Sequence, residues 1–171
     1  MHIAIVGGGI GGLTTALALE RTGLKVSLFE QATQLREVGA GLQLSPNAVR
    51  LLQRLGLDMP LRSVAVRPTA NEQRRWQDNR VLFRTLLGEE SERTFGAPHY
   101  SIHRWDLQQI LFEAIPAGIV HLGHRCLAVQ SHADCLKMSQ KKCPIFGAFL
   151  GHFCPVPKRT IPCMLDCGNA A

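Results

Sequence analysis

The chain has 171 residues, 46% of them hydrophobic and only 6% aromatic, and carries a formal net charge of +6. It is long enough for one core or for part of a larger one, and it has no apolar run of the roughly 20 residues that cross a membrane and no basic region ahead of its first apolar stretch. The charge is spread, with Arg50 and Arg54 one helical turn apart and Arg74-Arg75 only a pair, and no aromatics interleave them, so nucleic acid is set aside as a partner.

An apolar strand, Ile3 to Val6, runs straight into Gly7-x-Gly9-x-x-Gly12. Leu13, Ala16, Leu17 and Leu19 then follow helical spacing until Gly23 breaks it, and a second strand from Lys25 ends on Glu30. Each glycine has a task if the turn holds a dinucleotide: Gly7 makes the tight turn, Gly9 lets the backbone approach a pyrophosphate, and Gly12 lets helix and strand pack closely. The helix start offers unpaired N–H groups and the positive end of its dipole to phosphates. Glu30 is placed to accept hydrogen bonds from a ribose and would repel a 2′-phosphate. A lone glycine triplet is weak, but here strand, turn, helix, second strand and terminal acid agree.

A polar connection, Gln31 to Glu37, leads to Val38-Gly-Ala-Gly-Leu-Gln-Leu-Ser-Pro-Asn-Ala-Val-Arg-Leu-Leu. Gly39 and Gly41 permit a close backbone approach to a ligand, although taken alone the segment reads first as a core helix with a glycine-softened entry. Ser45 and Pro46 mark a helix start, and Gly56 a stop. Residues 73–87 read as a β-hairpin with Trp76, Val81, Phe83 and Leu86 as anchors and Asp78-Asn79 as the turn, and Glu89 to Arg93 as an exposed loop. A third helix is expected from Trp105 to Ile115, with Leu107, Ile110, Leu111 and Ala114 on its buried side. Arg104 at its start opposes the helix dipole. It either pairs locally with Asp106 or faces an anion. The next strand, Ile119 to Val129, carries His121 and His124, read as strand-surface residues rather than ligands.

Together these segments resemble the FAD-dependent aromatic-ring hydroxylases, the single-component flavoprotein monooxygenases that include salicylate and 6-hydroxynicotinate hydroxylases. The resemblance covers about residues 1–130 and rests on the glycine motif with Glu30-Gln31, on the segment from Gly39 to Leu52, and on Ser101-Ile-His-Arg104-Trp-Asp-Leu-Gln-Gln-Ile-Leu. It implies an α/β fold: a Rossmann-like FAD-binding domain with the beginning of a substrate-binding β-sheet, inserted at about residues 60–100 and incomplete. Gly7, Gly9, Gly11 and Gly12 would line the FAD pyrophosphate, Glu30 the adenosine ribose, and Gln31 would sit beside the adenine. Arg36 and Gln43 would border the flavin, and Arg104 would reach the FAD. In the family, NADH or NADPH reduces the flavin, O₂ adds, and a small electron-rich aromatic substrate is hydroxylated. No catalytic residue is assigned, and the cytoplasm is the expected compartment.

All six cysteines lie from Cys126 onward. Past Gln130 the family's later motifs are missing, and residues 131–171 read as an atypical cysteine-rich tail outside the family fold, as a frameshift, mis-splicing or truncation would produce. His132-x-x-Cys135, His152-x-Cys154 and Cys163-x-x-x-Cys167 contain metal-ligand types without the paired knuckles of common zinc sites, so no metal is assigned. The expectation is a truncated flavin monooxygenase that is inactive alone, with self-association through exposed edges. The alternative is a non-catalytic nucleotide-binding or interaction fragment. An NAD-dependent dehydrogenase fits the middle motif and Arg104 less well.

Overall fold

The computed structural model describes residues 1–36, 39–131 and 136–142. In chain order its elements are β1 (His2–Val6), α1 (Ile10–Arg21), β2 (Lys25–Glu30), β3 (Gly41–Leu44), α2 (Pro46–Arg54), α3 (Asp58–Val64), β4 (Ala70–Arg74), β5 (Val81–Leu86), α4 (Glu89–Phe95), β6 (Tyr100–His103), α5 (Arg104–Ala114), β7 (Val120–Leu122), β8 (His124–Ser131) and β9 (Leu136–Lys142). They divide into two compact units, one built from Met1–Arg36 and the chain from Leu111, the other from Glu37–Ile110.

The first unit is built on a parallel sheet in the order β1-β2-β7. Val6 is in register with Phe29, and Glu30 with Leu122, so the strands end side by side. Val26 and Leu28 alternate onto one face and are buried, as are Leu13, Ala16 and Leu17 at helical spacing on α1. Burying each large side chain contributes about 1.5–3 kcal/mol, which is what holds α1 on the strands. Phe29, on the opposite face, is buried too and stacks on His121 with ring centroids 5.0 Å apart. Parallel strands covered on both faces read as continuous apolar runs, as β1 does from Ile3 to Val6, whereas β2 keeps Lys25, Ser27 and Glu30 among its apolar residues. Burial, together with nearby His124 and His2, pushes the His121 ring below its ordinary pKa. The single strand expected over Ile119 to Val129 is two, broken at Gly123, whose φ is +72°. β9 pairs antiparallel with β8 and buries Met138, a strand where no regular period was expected.

The second unit centres on the antiparallel pair β3–β6, running from Gly41 opposite His103 to Leu44 opposite Tyr100. Leu44, Val49, Leu52, Leu57, Leu61, Tyr100 and Ile102 are buried. The helix start at Ser45-Pro46 is where the sequence puts it, but the segment before it is a strand rather than a loosened helix entry. α3 was not expected; its first residue, Asp58, accepts from Gln53 Nε2 at 2.7 Å and pairs with Arg62 Nε at 2.8 Å. The β4–β5 hairpin forms with Asn79 at φ +59°, but its presumed anchors face solvent: Trp76 is 88% exposed and Phe83 60%. Glu89 to Arg93 is not a loop but most of α4. Three glutamates in its first turn suit the positive end of the helix, and Gly96 at φ +71° closes it.

Candidate functional site

The glycine turn sits where β1 ends beside β2. Gly7, at φ +104°, continues the ladder by donating its N–H to Phe29 O at 2.8 Å. Gly12 is the steric pivot: a Cβ there would stand 2.0 Å from Gly7 O, so only glycine lets α1 leave the turn this close to β1. A Cβ on Gly9, by contrast, would meet nothing within 4 Å, so that side of the turn is open. Leu13 N–H is the first to enter the helical ladder, donating to Gly9 O at 2.9 Å. The amides of Ile10, Gly11 and Gly12 therefore belong to the first turn, where helices leave N–H groups for capping groups or ligands.

Glu30 does more than end β2. Its Oε2 accepts from Gly8 N–H at 2.5 Å and its Oε1 from Ala32 N–H at 2.8 Å. The carboxylate thus ties the glycine turn to the chain leaving β2, and each oxygen keeps a further lone pair for another donor. Gly8 falls at a variable position of the motif, so the sequence reading passed over it. The only signal was its side-chain-free backbone: a Cβ on Gly8 would press on Glu30 Cβ and Cγ at 3.0 Å. Gln31 is exposed directly after Glu30, and Gly11 is exposed on the first turn of α1. Arg36 is exposed at the end of the described segment, and its Nε and Nη2 reach the amide oxygen of Gln34 at 3.1 and 3.2 Å when that amide is turned toward it.

Two of the expected residues lie in the other unit. Gln43 is exposed on β3, opposite Ser101. Arg104 opens α5, is exposed, and donates its backbone N–H to Ala40 O at 3.3 Å. Among the described residues it makes no ion pair, with Asp106 or any other acid, so the local-pairing explanation does not hold. Gly7, Gly9, Gly11, Gly12 and Glu30 are therefore brought together, with Gln31 next in chain, while Gln43 and Arg104 are placed on a second scaffold.

A strand–glycine turn–helix with an acid closing the next strand matches a family model described as an FAD binding domain over residues 1–137. The chain belongs to the FAD binding domain family. The chain is similar to the 3-amino-4-hydroxybenzoate 2-monooxygenase PtmB3 of Streptomyces platensis, 47% identical over 133 residues, which are 78% of this chain and 34% of that one. The 6-hydroxynicotinate 3-monooxygenase of Bordetella bronchiseptica is 32% identical over 137 residues, 80% of this chain and 36% of that one. The fold is also that of Klebsiella pneumoniae HpxO, solved with FAD and uric acid, at a TM-score of 0.73 and 21% identity over 82% of this chain and 35% of that one. The chain thus spans about a third of the length of the relatives it matches.

FAD is the cofactor of this family, and the turn described above fits it: glycine where a Cβ would block α1, open space over Gly9, and an acid fixed at the end of β2. Among the described residues no group of three or more His, Cys, Asp or Glu is placed to hold a metal ion, and no helix is long and apolar enough to cross a membrane. His132, His152 and every cysteine of the tail motifs lie outside the described residues; Cys126 is half-buried on β8.

Proposed function

We propose that this chain is the nucleotide-binding part of a flavin-dependent monooxygenase acting on small hydroxylated aromatic rings, with NADH or NADPH as reductant. The observation that supports this most is the glycine turn with its preset acid: Gly8 and Ala32 amides hold the Glu30 carboxylate beside the open first turn of α1. Gly9, Gly11 and Gly12 would receive the pyrophosphate on backbone N–H groups, and the lone pairs left on Glu30 would take the adenosine ribose hydroxyls. Gln31 would lie along the adenine, Arg36 and Gln43 would border the flavin, and Arg104 would pair with an anionic part of the cofactor. Bound FAD supplies the redox chemistry, and the protein's part is to bind, orient and exclude water. The substrate class follows from relatives named for hydroxybenzoate and hydroxynicotinate chemistry. The cytoplasm is the compartment we propose for this chain.

Because the chain spans a third of its relatives, we propose further that it binds FAD weakly and hydroxylates nothing by itself. A cofactor cleft open on one side leaves the reacting ring wet, which favours wasteful decay over transfer to substrate. The test is titration of the purified chain with FAD and with NAD, followed by NAD(P)H oxidation and product analysis with hydroxybenzoates and hydroxypyridines. FAD binding without NAD binding, and no hydroxylated product, is the expected result. Tight NAD binding without FAD overturns the cofactor reading, and coupled hydroxylation overturns the claim of inactivity. The second reading, a nucleotide-binding or interaction fragment with no catalytic part, is favoured by the same coverage and predicts no product even when the missing two thirds of a relative is supplied in trans.

A further inference from the structure

We infer that Gly39 is a positioning residue for Arg104, an inference that rests on the flavin reading above. The sequence suggests that Gly39 is small so that a ligand can come close. The geometry points to a different neighbour. A Cβ on Gly39 would stand 2.9 Å from Arg104 Cδ, 3.6 Å from its Cβ and 3.8 Å from its Cγ. The group that lies across Gly39 is thus the aliphatic stem of Arg104.

The backbone beside the contact is held while the arginine stem can turn. Gly39 has φ +114°, in the region that disfavours any side chain. Arg104 N–H is bonded to Ala40 O at 3.3 Å, and the next pair in the ladder, Gly41 and His103, joins β3 to β6. With Ala40 and Gly41 held against Arg104 and His103, a methyl at position 39 would push the arginine stem aside. The guanidinium has no acidic partner among the described residues to hold it in its present direction. The glycine surface beneath the stem then helps to set that direction, and with it the place where the cation meets an anionic ligand.

The experiment compares the full chain with Gly39→Ala, Arg104→Ala and the double variant, reading FAD affinity by flavin fluorescence and apo-protein Tm. Gly39→Ala is expected to weaken FAD about as much as Arg104→Ala, roughly tenfold or more for a charge-assisted contact. The double variant should be within about twofold of Arg104→Ala, because the two residues act through one contact. In Tm, Gly39→Ala should cost more in the natural background than beside Arg104→Ala, where only backbone strain remains. Gly39→Asn, which tolerates positive φ better yet still carries a Cβ, replaces Gly39→Ala if that variant does not fold. Additive effects in both readouts overturn the inference, as does FAD binding that Arg104→Ala weakens and Gly39→Ala leaves unchanged. A natural chain that takes up no FAD overturns the flavin reading instead, and is told apart by a Tm coupling that persists.

Discussion

The glycine turn of the first unit and the β4–β5 hairpin of the second are both tight reversals, yet they are stabilised in opposite ways. At the turn, Gly7 and Gly8 amides have protein acceptors, Glu30 uses both oxygens, and Gly12 leaves no room for a methyl. In the hairpin all of β5 is exposed, Leu82 and Phe83 included, although successive side chains point to opposite faces. Two strands alone are marginal in water, so such a hairpin depends on what packs against it. The first region is held by its own contacts, whereas the second leaves its apolar side chains in solvent.

The strongest way to break that comparison is Gly12→Ala. The added methyl would overlap Gly7 O, a backbone atom that cannot rotate away, so α1 must separate from β1. A loss of about 3 kcal/mol is expected, at the upper end for overpacking, seen as a lower urea midpoint. An unchanged midpoint would mean that the turn is not the close-packed pivot described above.

Glu30→Gln should be milder and should act on two measurements. One carboxylate oxygen becomes an NH₂ group facing a backbone N–H, either Gly8 or Ala32, so one donor loses its acceptor. Apo stability should fall by about 1–3 kcal/mol. FAD affinity should drop roughly ten- to a hundredfold as charge-assisted bonding to the ribose is lost. Lower affinity with unchanged apo stability would leave Glu30 as a ligand group only, and its ties to the turn without energetic weight.

Phe83→Thr on the hairpin is the smallest effect and the complementary one. Phe83 is already 60% exposed, so stability should stay within about 0.5 kcal/mol of the natural chain. Self-association, followed by light scattering, should decrease as an exposed apolar contact is removed. A large loss of stability would show that the hairpin packs against the rest of the chain after all.

What could be read in advance follows the same division. β1, α1, β2 and the position of Glu30 were legible because strand, glycine spacing and helical periodicity all lie within thirty consecutive residues. The hairpin was legible as a shape through Asp78-Asn79, but its burial was not, because apolar residues look alike whether their partner is near or missing. Glu89 to Arg93 reads as a loop because it is charged; the same glutamates favour a helix start once Gly88 and Gly96 bound the segment. In β9 Leu136 and Met138 alternate with Lys137 and Ser139, but the run is short and flanked by Cys135 and Cys143, so its period is faint in the sequence. Among site residues, Glu30 lies where its spacing put it. The grips of Gly8 and Ala32 on its carboxylate, and of Gly39 on Arg104, depend on backbone direction, which residue identity does not display.

The pairing of β2 with β7 sets an order of events during synthesis. Leu28 is aligned with Val120, and the whole of the second unit lies in the chain between them. Closing so long a loop adds little free energy, since each doubling of length costs only about 0.6 kcal/mol. In time the burden is larger, because parallel pairings between distant segments form slowly. A ribosome releases β1, α1 and β2 long before β7, so the outer edge of β2 must wait unpaired through the synthesis of some ninety residues. Slower translation or a lower growth temperature lengthens the interval in which Glu37–Ile110 can fold and deliver β7 to that edge. The time at which β7 arrives therefore sets how long the outer edge of β2 stays open.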